Sequence, residues 1–298
     1  MSETDKTASG WMNGFLGMLI FSGSLPATRL AVASFDPVFL TVARACIAGA
    51  LGLFLLLIFR EKRPERSDLI PLGVVAFGVV IGFPLLTALA LKHITAAHSV
   101  VFVAVLPLTT AIFGVLRGGE RPRPAFWIFS GLGAALVAGF ALMQGGGATS
   151  IGDILMIGAV IVCGLGYAEG AKLSRKLGGW QVISWALVMS LPVMIPAALA
   201  TLPASWDGIG EPAWMGLAYV SLFSMLIGFV FWYRGLALGG IAAVGQLQLL
   251  QPFFGLVLAA TLLHEPVGWS MVAIAMAVVL CVVGAKRFAR PVTVAAAR

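Results

Sequence analysis

Charge is scarce in this sequence. Asp, Glu, Lys and Arg make up 10% of its 298 residues against 60% apolar residues, and mean hydropathy is +1.03. Soluble domains carry nearer a quarter charged residues, so this chain has too little polar surface to cover itself in water. Cysteine is sparse too. Cys46, Cys163 and Cys281 stand alone in apolar surroundings, with no CxxC pair and no metal-ligand spacing. They read as small packing residues, neither disulfides nor ligands. Also missing are an HExxH helix, paired aspartates and a Ser-His-Asp constellation. A membrane-embedded enzyme would need one of these. Gly145-Gly146-Gly147 lacks the Lys and Ser/Thr of a phosphate loop, so ATP-driven work is not expected. No ring of charge or carbonyl filter marks a channel. No cofactor and no metal are expected.

What the chain has is apolar length. Runs of about 18 or more apolar residues are long enough to cross a ~30 Å hydrocarbon layer as helices. The runs are continuous rather than alternating, which sets aside a β-barrel. Ten spans are expected, at 11–33, 36–59, 69–91, 96–116, 125–143, 152–172, 180–201, 212–234, 242–262 and 267–288. The fold class is therefore all-α integral membrane. Glu3, Asp5 and Lys6 precede the first span, and no basic n-region of a cleaved signal is present. Trp11, Trp180, Trp206, Trp214 and Trp269 lie near span ends, as interfacial anchors do.

The net charge of +7 reads as membrane-surface charge, and nucleic acid is not an expected partner. If both ends of the chain lie on one side, sixteen of the nineteen Lys and Arg residues fall on that side, leaving Arg29, Arg44 and Lys92. That side is then cytoplasmic. The expectation is a multi-pass cell (inner) membrane protein, monomeric, with both termini in the cytoplasm. Its partners are the lipid bilayer and a small-molecule substrate.

A repeat organises these spans. Pro107 in the fourth is followed thirteen residues later by Glu120, and Pro252 in the ninth is followed thirteen residues later by Glu265. The chain divides near residue 150 into five spans over 1–150 and five over 151–298. An odd number makes the halves enter the membrane in opposite directions. Two inverted five-helix repeats around a central cavity are the architecture of a secondary transporter, in which inward-open and outward-open states have similar energies.

Several local patterns carry a family likeness. They are Ser22-Gly23-Ser24-Leu25-Pro26-Ala27-Thr28-Arg29, Asp36-Pro37, Arg44 in the second span, Gly152-Asp153, and the two Pro-to-Glu spacings. In this order the chain resembles the drug/metabolite transporter superfamily, in particular its ten-helix EamA-type exporters. It departs from them at Phe21-Ser22, where a Trp is usual, and at Cys163-Gly164-Leu165-Gly166-Tyr167, where Trp-Ala is common. The resemblance implies a basket of helices around a cavity lined chiefly by the third, fourth, eighth and ninth. It also implies export of small metabolites, with amino acids of aromatic or other apolar type foremost. Multidrug or nucleoside/purine export is the alternative within the fold.

Polar groups inside spans are costly and are candidates for the chemistry. Gln248 and Gln251 are three apart on the ninth span, sharing a face, and Pro252 frees a carbonyl one turn back. They either bind a polar solute or tie helices together, as Gln246 is expected to do. Glu169 either pairs with Lys172 at the interface or takes a proton or a substrate amine. Arg44 either bonds helix carbonyls or Asp36 or meets a substrate carboxylate. His98, one helical stretch from Phe102, is either solvated at the membrane edge or sits at the cavity mouth. Of the aromatics, Tyr167 is the leading cavity residue because its hydroxyl needs a partner. Phe77, Phe83 and Phe102 join the candidate lining. Pro107 and Pro252 are the expected hinges.

Overall fold

The structure is a computed structural model that describes residues 3–94, 99, 102–103, 105–143, 151–251, 253–255, 257–258 and 269–289. Every regular element among the described residues is helical. We number the α-helices α1 (Glu3–Ser22), α2 (Ser24–Val32), α3 (Pro37–Ile58), α4 (Arg66–Val75), α5 (Phe83–Ala90), α6 (Leu106–Gly118) and α7 (Pro124–Met143). After these come α8 (Ile151–Leu177), α9 (Gly179–Ala200), α10 (Glu211–Tyr219), α11 (Gly228–Gly239), α12 (Ile241–Gly245) and α13 (Trp269–Phe288). Six described stretches are long and apolar enough to cross a bilayer: Asp5–Val32, Pro37–Ile58, Arg66–Ala90, Ile151–Leu177, Gly179–Ala200 and Glu211–Gly239. Leu106–Gly118 and Pro124–Leu136 are shorter apolar helices.

Several stretches expected as uniform helices are broken. α1 gives way to α2 at Gly23. The cause lies nearby: Pro26 has no N–H to offer the Ser22 carbonyl. Wide π-helical segments, Ala76–Gly82 and Val220–Ile227, join α4 to α5 and α10 to α11. They occupy the third span of each half of the chain. A π turn spoils the regular ladder and often marks a functional site. The ninth stretch begins as α12 and tightens to a 3-10 turn at Gln246–Leu250.

Packing joins the two halves of the chain. α1 lies against α11, α3 against α9, α6 against α8 and α7 against α13. Each pair takes one helix from before residue 143 and one from after residue 151. The α1–α11 contact is backbone on backbone. A Cβ on Gly10 would lie 2.5 Å from the Gly239 nitrogen, and one on Gly235 would lie 2.5 Å from the Gly14 nitrogen. Further along the same pair of stretches, a Cβ on Gly216 would lie 2.5 Å from the Ala27 carbonyl oxygen. These two contacts fix an antiparallel pair, and the Gly23 break and the Val220–Ile227 π segment lie between them. Gly78 and Gly166 make a third close crossing, where a Cβ on Gly78 would sit 2.5 Å from the Val162 carbonyl oxygen. Small residues let membrane helices approach this closely where no hydrophobic force drives them together.

Gly235→Val is expected to lower stability by about 1–3 kcal/mol or more, the usual penalty for forcing volume into a packed contact. Gly73→Ala meets nothing within 4 Å and is expected to be neutral or stabilising by about 0.5–1 kcal/mol. Thermal unfolding of the two variants in detergent checks the contrast.

Candidate functional site

The matched irregularities in the first and eighth spans open a cleft at the centre of the bundle. The cavity is narrow in this conformation, about 30 Å³, and opens into a wider space shared with solvent. Phe21, Phe83, Tyr167 and Phe229 give it aromatic walls. Ser24, Thr28, Thr87, Ser224, Gln251 and Arg44 give it polar ones. The aromatic side is built by stacking. Phe21 and Tyr167 lie parallel at 6.3 Å, Phe229 meets Phe21 edge-on at 5.0 Å, and Trp232 closes on Phe21 at 6.0 Å. Trp232 is fully buried beneath this layer. Apolar walls with a few aimed polar groups are the usual make-up of a small-molecule pocket.

Local backbone chemistry positions the polar groups. The Gly23 break leaves carbonyls without regular helix partners, and side chains from the second half of the chain take them. The Tyr219 hydroxyl donates to the Ile20 carbonyl at 2.7 Å, and Gln251 Nε2 donates to the Phe21 carbonyl at 3.3 Å. The Gln251 carbonyl oxygen is buried without a hydrogen bond. Gln248 is fully buried behind it, facing the Tyr167 hydroxyl, and neither amide atom makes a hydrogen bond of good geometry. In a 3-10 turn, residues three apart eclipse, so Gln248 and Gln251 stand one above the other.

Arg44 is the buried cation of the cleft, 6% exposed. Asp36 is not its partner. That carboxylate caps α3 through the Val38 and Phe39 N–H groups and pairs with Lys92 at 3.6 Å. Arg44 Nη2 instead donates to Ser224 Oγ at 3.3 Å, and Ser224 Oγ also accepts from Ser24 at 2.8 Å. The serines carried a sequence signal, since hydroxyls inside apolar spans are conspicuous. Their meeting with Arg44 required the three-dimensional pairing of the first, second and eighth spans.

Other expected site residues lie elsewhere. Glu169 is buried, and its carboxylate accepts from Arg117 Nε at 2.8 Å and pairs with Lys172 at 3.9 Å. It is one of several acids at the N-terminal face held by basic residues. Phe77 points outward at 58% exposure. Phe102 is partly buried against the core and is not among the lining residues. Pro107 sits in the first turn of α6. His98 and Pro252 lie outside the described residues.

The N-terminal face is tied shut by Glu120. Both its oxygens accept backbone N–H bonds at the start of α12, from Ile241 at 2.6 Å and from Ala242 at 2.7 Å, and Arg175 lies 3.5 Å away. Gly119 (φ +68°) and Gly240 (φ +92°) turn the chain on either side of this contact, in a region that favours glycine. Burial pushes the Glu120 carboxyl above its ordinary range, against the pull of the two N–H donors and Arg175. Lys176 bridges Glu65 at 2.8 Å and Asp68 at 2.9 Å nearby.

Comparison with known proteins places this geometry. The model of the EamA-like transporter family matches residues 8–142 and again 150–285. An uncharacterized transporter of Bacillus subtilis (strain 168), YdeK, is 70% identical over 286 residues, which is 96% of this chain and 100% of that one. A probable terminal-alkyne amino-acid exporter of Streptantibioticus cattleyicolor is 24% identical over 81% of this chain and 76% of its own length. A solved crystal structure shares the fold at a TM-score of 0.75 and 20% identity, covering 94% of this chain and 98% of that one.

Glu120→Gln leaves one acceptor where two N–H groups point. It is expected to cost about 2–4 kcal/mol, from the loss of charged hydrogen bonds and a stranded buried donor. Glu65→Gln removes a solvent-exposed partner of Lys176 and is expected to change stability far less. Thermal unfolding of the two purified variants measures the difference.

Proposed function

The chain belongs to the EamA-like transporter family, a multi-pass membrane family, and from that premise we propose that it exports small metabolites by alternating access. Amino acids with aromatic or other apolar side chains are the leading substrates. The observation that carries this reading is the central cleft. Stacked aromatic rings form one side and a short row of amide, hydroxyl and guanidinium groups forms the other. An apolar amino acid has the same two-sidedness. The Streptantibioticus relative, named a probable terminal-alkyne amino-acid exporter, is in keeping with this chemistry.

The cycle we propose treats the two halves as inverted five-helix repeats, ten spans in all, with both chain ends in the cytoplasm. Support comes from the π segments in the third span of each half and from helix pairings that join one half to the other. Exchanging the halves maps the α3–α9 pair onto itself, and likewise the α7–α13 pair. In the conformation described, Glu120 and the basic residues of α8 hold the N-terminal face together, while the cleft is lined by Ser24, Leu25 and Thr28 beyond the Gly23 break. On the proposed topology this arrangement faces outward. Inward opening requires Glu120 to release α12, with flexing near Pro107 and Pro252. Tyr167, Phe83 and Gln251 contact the solute, with Gln248 behind them. Glu169 serves the closed cytoplasmic face.

Counterflow of labelled phenylalanine and leucine into proteoliposomes tests this directly, and saturable uptake stimulated by internal solute is expected. Gln251→Ala and Tyr167→Ala are expected to raise the half-saturating concentration about 2- to 12-fold, the worth of one net hydrogen bond. Phe77→Ala, on the outer surface, is expected to leave it unchanged. Equal kinetics in all three variants would remove the cleft from consideration.

A further inference from the structure

We propose that Arg44, Ser224 and Ser24 form the seat for an anionic group of the transported solute, so that the cleft selects molecules bearing a carboxylate. The proposal rests on the transport reading above and deepens it.

A buried guanidinium has five N–H donors and no way to shed its charge. Arg44 uses one, at 3.3 Å, on a neutral hydroxyl. Its Nε is buried with no partner. An isolated buried charge is expensive unless it is paired. Among the described residues Asp36 is committed to α3 and Lys92, Glu169 to Arg117 and Lys172, and Glu120 to α12 and Arg175. Among the described residues no ion pair joins Arg44 to Asp36, Glu169 or Glu120.

The serines point the same way. A hydroxyl in a helix commonly satisfies itself on a carbonyl one turn back, and Ser22, Ser174 and Ser221 do so, on Met18, Gly170 and Leu217. Ser224 does not. Its oxygen accepts from Arg44 and shares a hydrogen bond with Ser24, which leaves one hydroxyl proton of the serine pair available as a donor. Ser224 lies within the Val220–Ile227 π segment and Ser24 beside the Gly23 break. The two irregular backbones thus put a hydroxyl donor next to an unpaired guanidinium edge, and both residues line the cleft. Planar donors of this kind match a carboxylate, and charge assistance makes such bonds strong. The aromatic wall of Phe21, Tyr167 and Phe229 then receives the apolar remainder of the solute.

The test uses the full chain in proteoliposomes with four labelled probes: phenylalanine, phenylalanine carboxamide, phenethylamine and 3-phenylpropionate. Flux is read together with thermal stabilisation of the purified protein by each probe. The two carboxylates are expected to bind about 10- to 100-fold better than the two probes lacking one, the span of a charge-assisted hydrogen bond. Arg44→Gln should erase that gap, Arg44→Lys should retain part of it, and Ser224→Ala should narrow it in a fold with its guanidinium intact. Carriage of 3-phenylpropionate but not phenylalanine, with the same dependence on Arg44, supports the anion seat and removes the amino-acid reading. Equal carriage of all four probes, unchanged by Arg44→Gln or Ser224→Ala, supports transport and overturns the anion seat. Neither flux nor stabilisation by any probe overturns both.

Discussion

The backbone contact between α1 and α11 is the constraint from which the rest of the architecture follows. Gly10 and Gly14 meet Gly235 and Gly239 with no room for a Cβ. The first and eighth spans are therefore locked together toward the N-terminal face. They meet again at Gly216 and Ala27. Two helices pinned at two levels have little freedom to part between them. Space for a solute has to come from the backbone itself, through the turn at Gly23 and the π segment Val220–Ile227. The cleft lies against these two irregular stretches, and α3, α5, α6, α8 and Gln251 complete its walls.

Polar groups are distributed with the same economy. Charged side chains near the N-terminal face pair with one another, so that Glu169, Asp68 and Glu120 each have a basic neighbour. Several hydroxyls inside spans, such as Ser22, Thr41, Ser174 and Ser221, turn back on their own helix, which silences them toward the apolar surroundings. Arg44, Ser224, Gln248 and Gln251 keep hydrogen-bonding capacity in reserve, and all four lie at or just behind the cleft. Unspent polar capacity at the centre of a membrane bundle marks where a solute can compensate it.

Much of this was legible in the sequence. Apolar run length reports the long helices because lipid leaves a backbone no other partner. Tyr167, Phe83, Gln251 and Arg44 could be singled out as aromatic or polar groups within apolar runs, and the structure brings those four to one cleft. The breaks were harder to read. Pro26 beside Gly23 hinted at one, but no residue type announces a π turn, because it depends on how a neighbouring helix packs. Phe77 shows the limit of composition. It lies in the same run as Phe83 but faces outward, and a helix that changes its pitch between them defeats any count of faces from the sequence. Glu169 shows another limit. Its i,i+3 neighbour Lys172 was visible, yet its shorter contact is Arg117, which comes from a distant helix. Ser224 became interpretable only with the pairing of the second and eighth spans.

The pairing of helices across the chain's midpoint has a consequence for biogenesis. α1 lies on α11, α3 on α9, α7 on α13, and Glu120 caps α12. None of these contacts closes within residues 3–143. During synthesis, the early helices enter the bilayer before their mates exist, exposing Gly10, Gly14 and a carboxylate intended for another helix's N-terminus. Native packing is then a late, concerted event that waits for the last helices to leave the ribosome. Until then the first half is a set of inserted but undocked segments, the stage at which quality-control proteases and chaperones have the most to recognise.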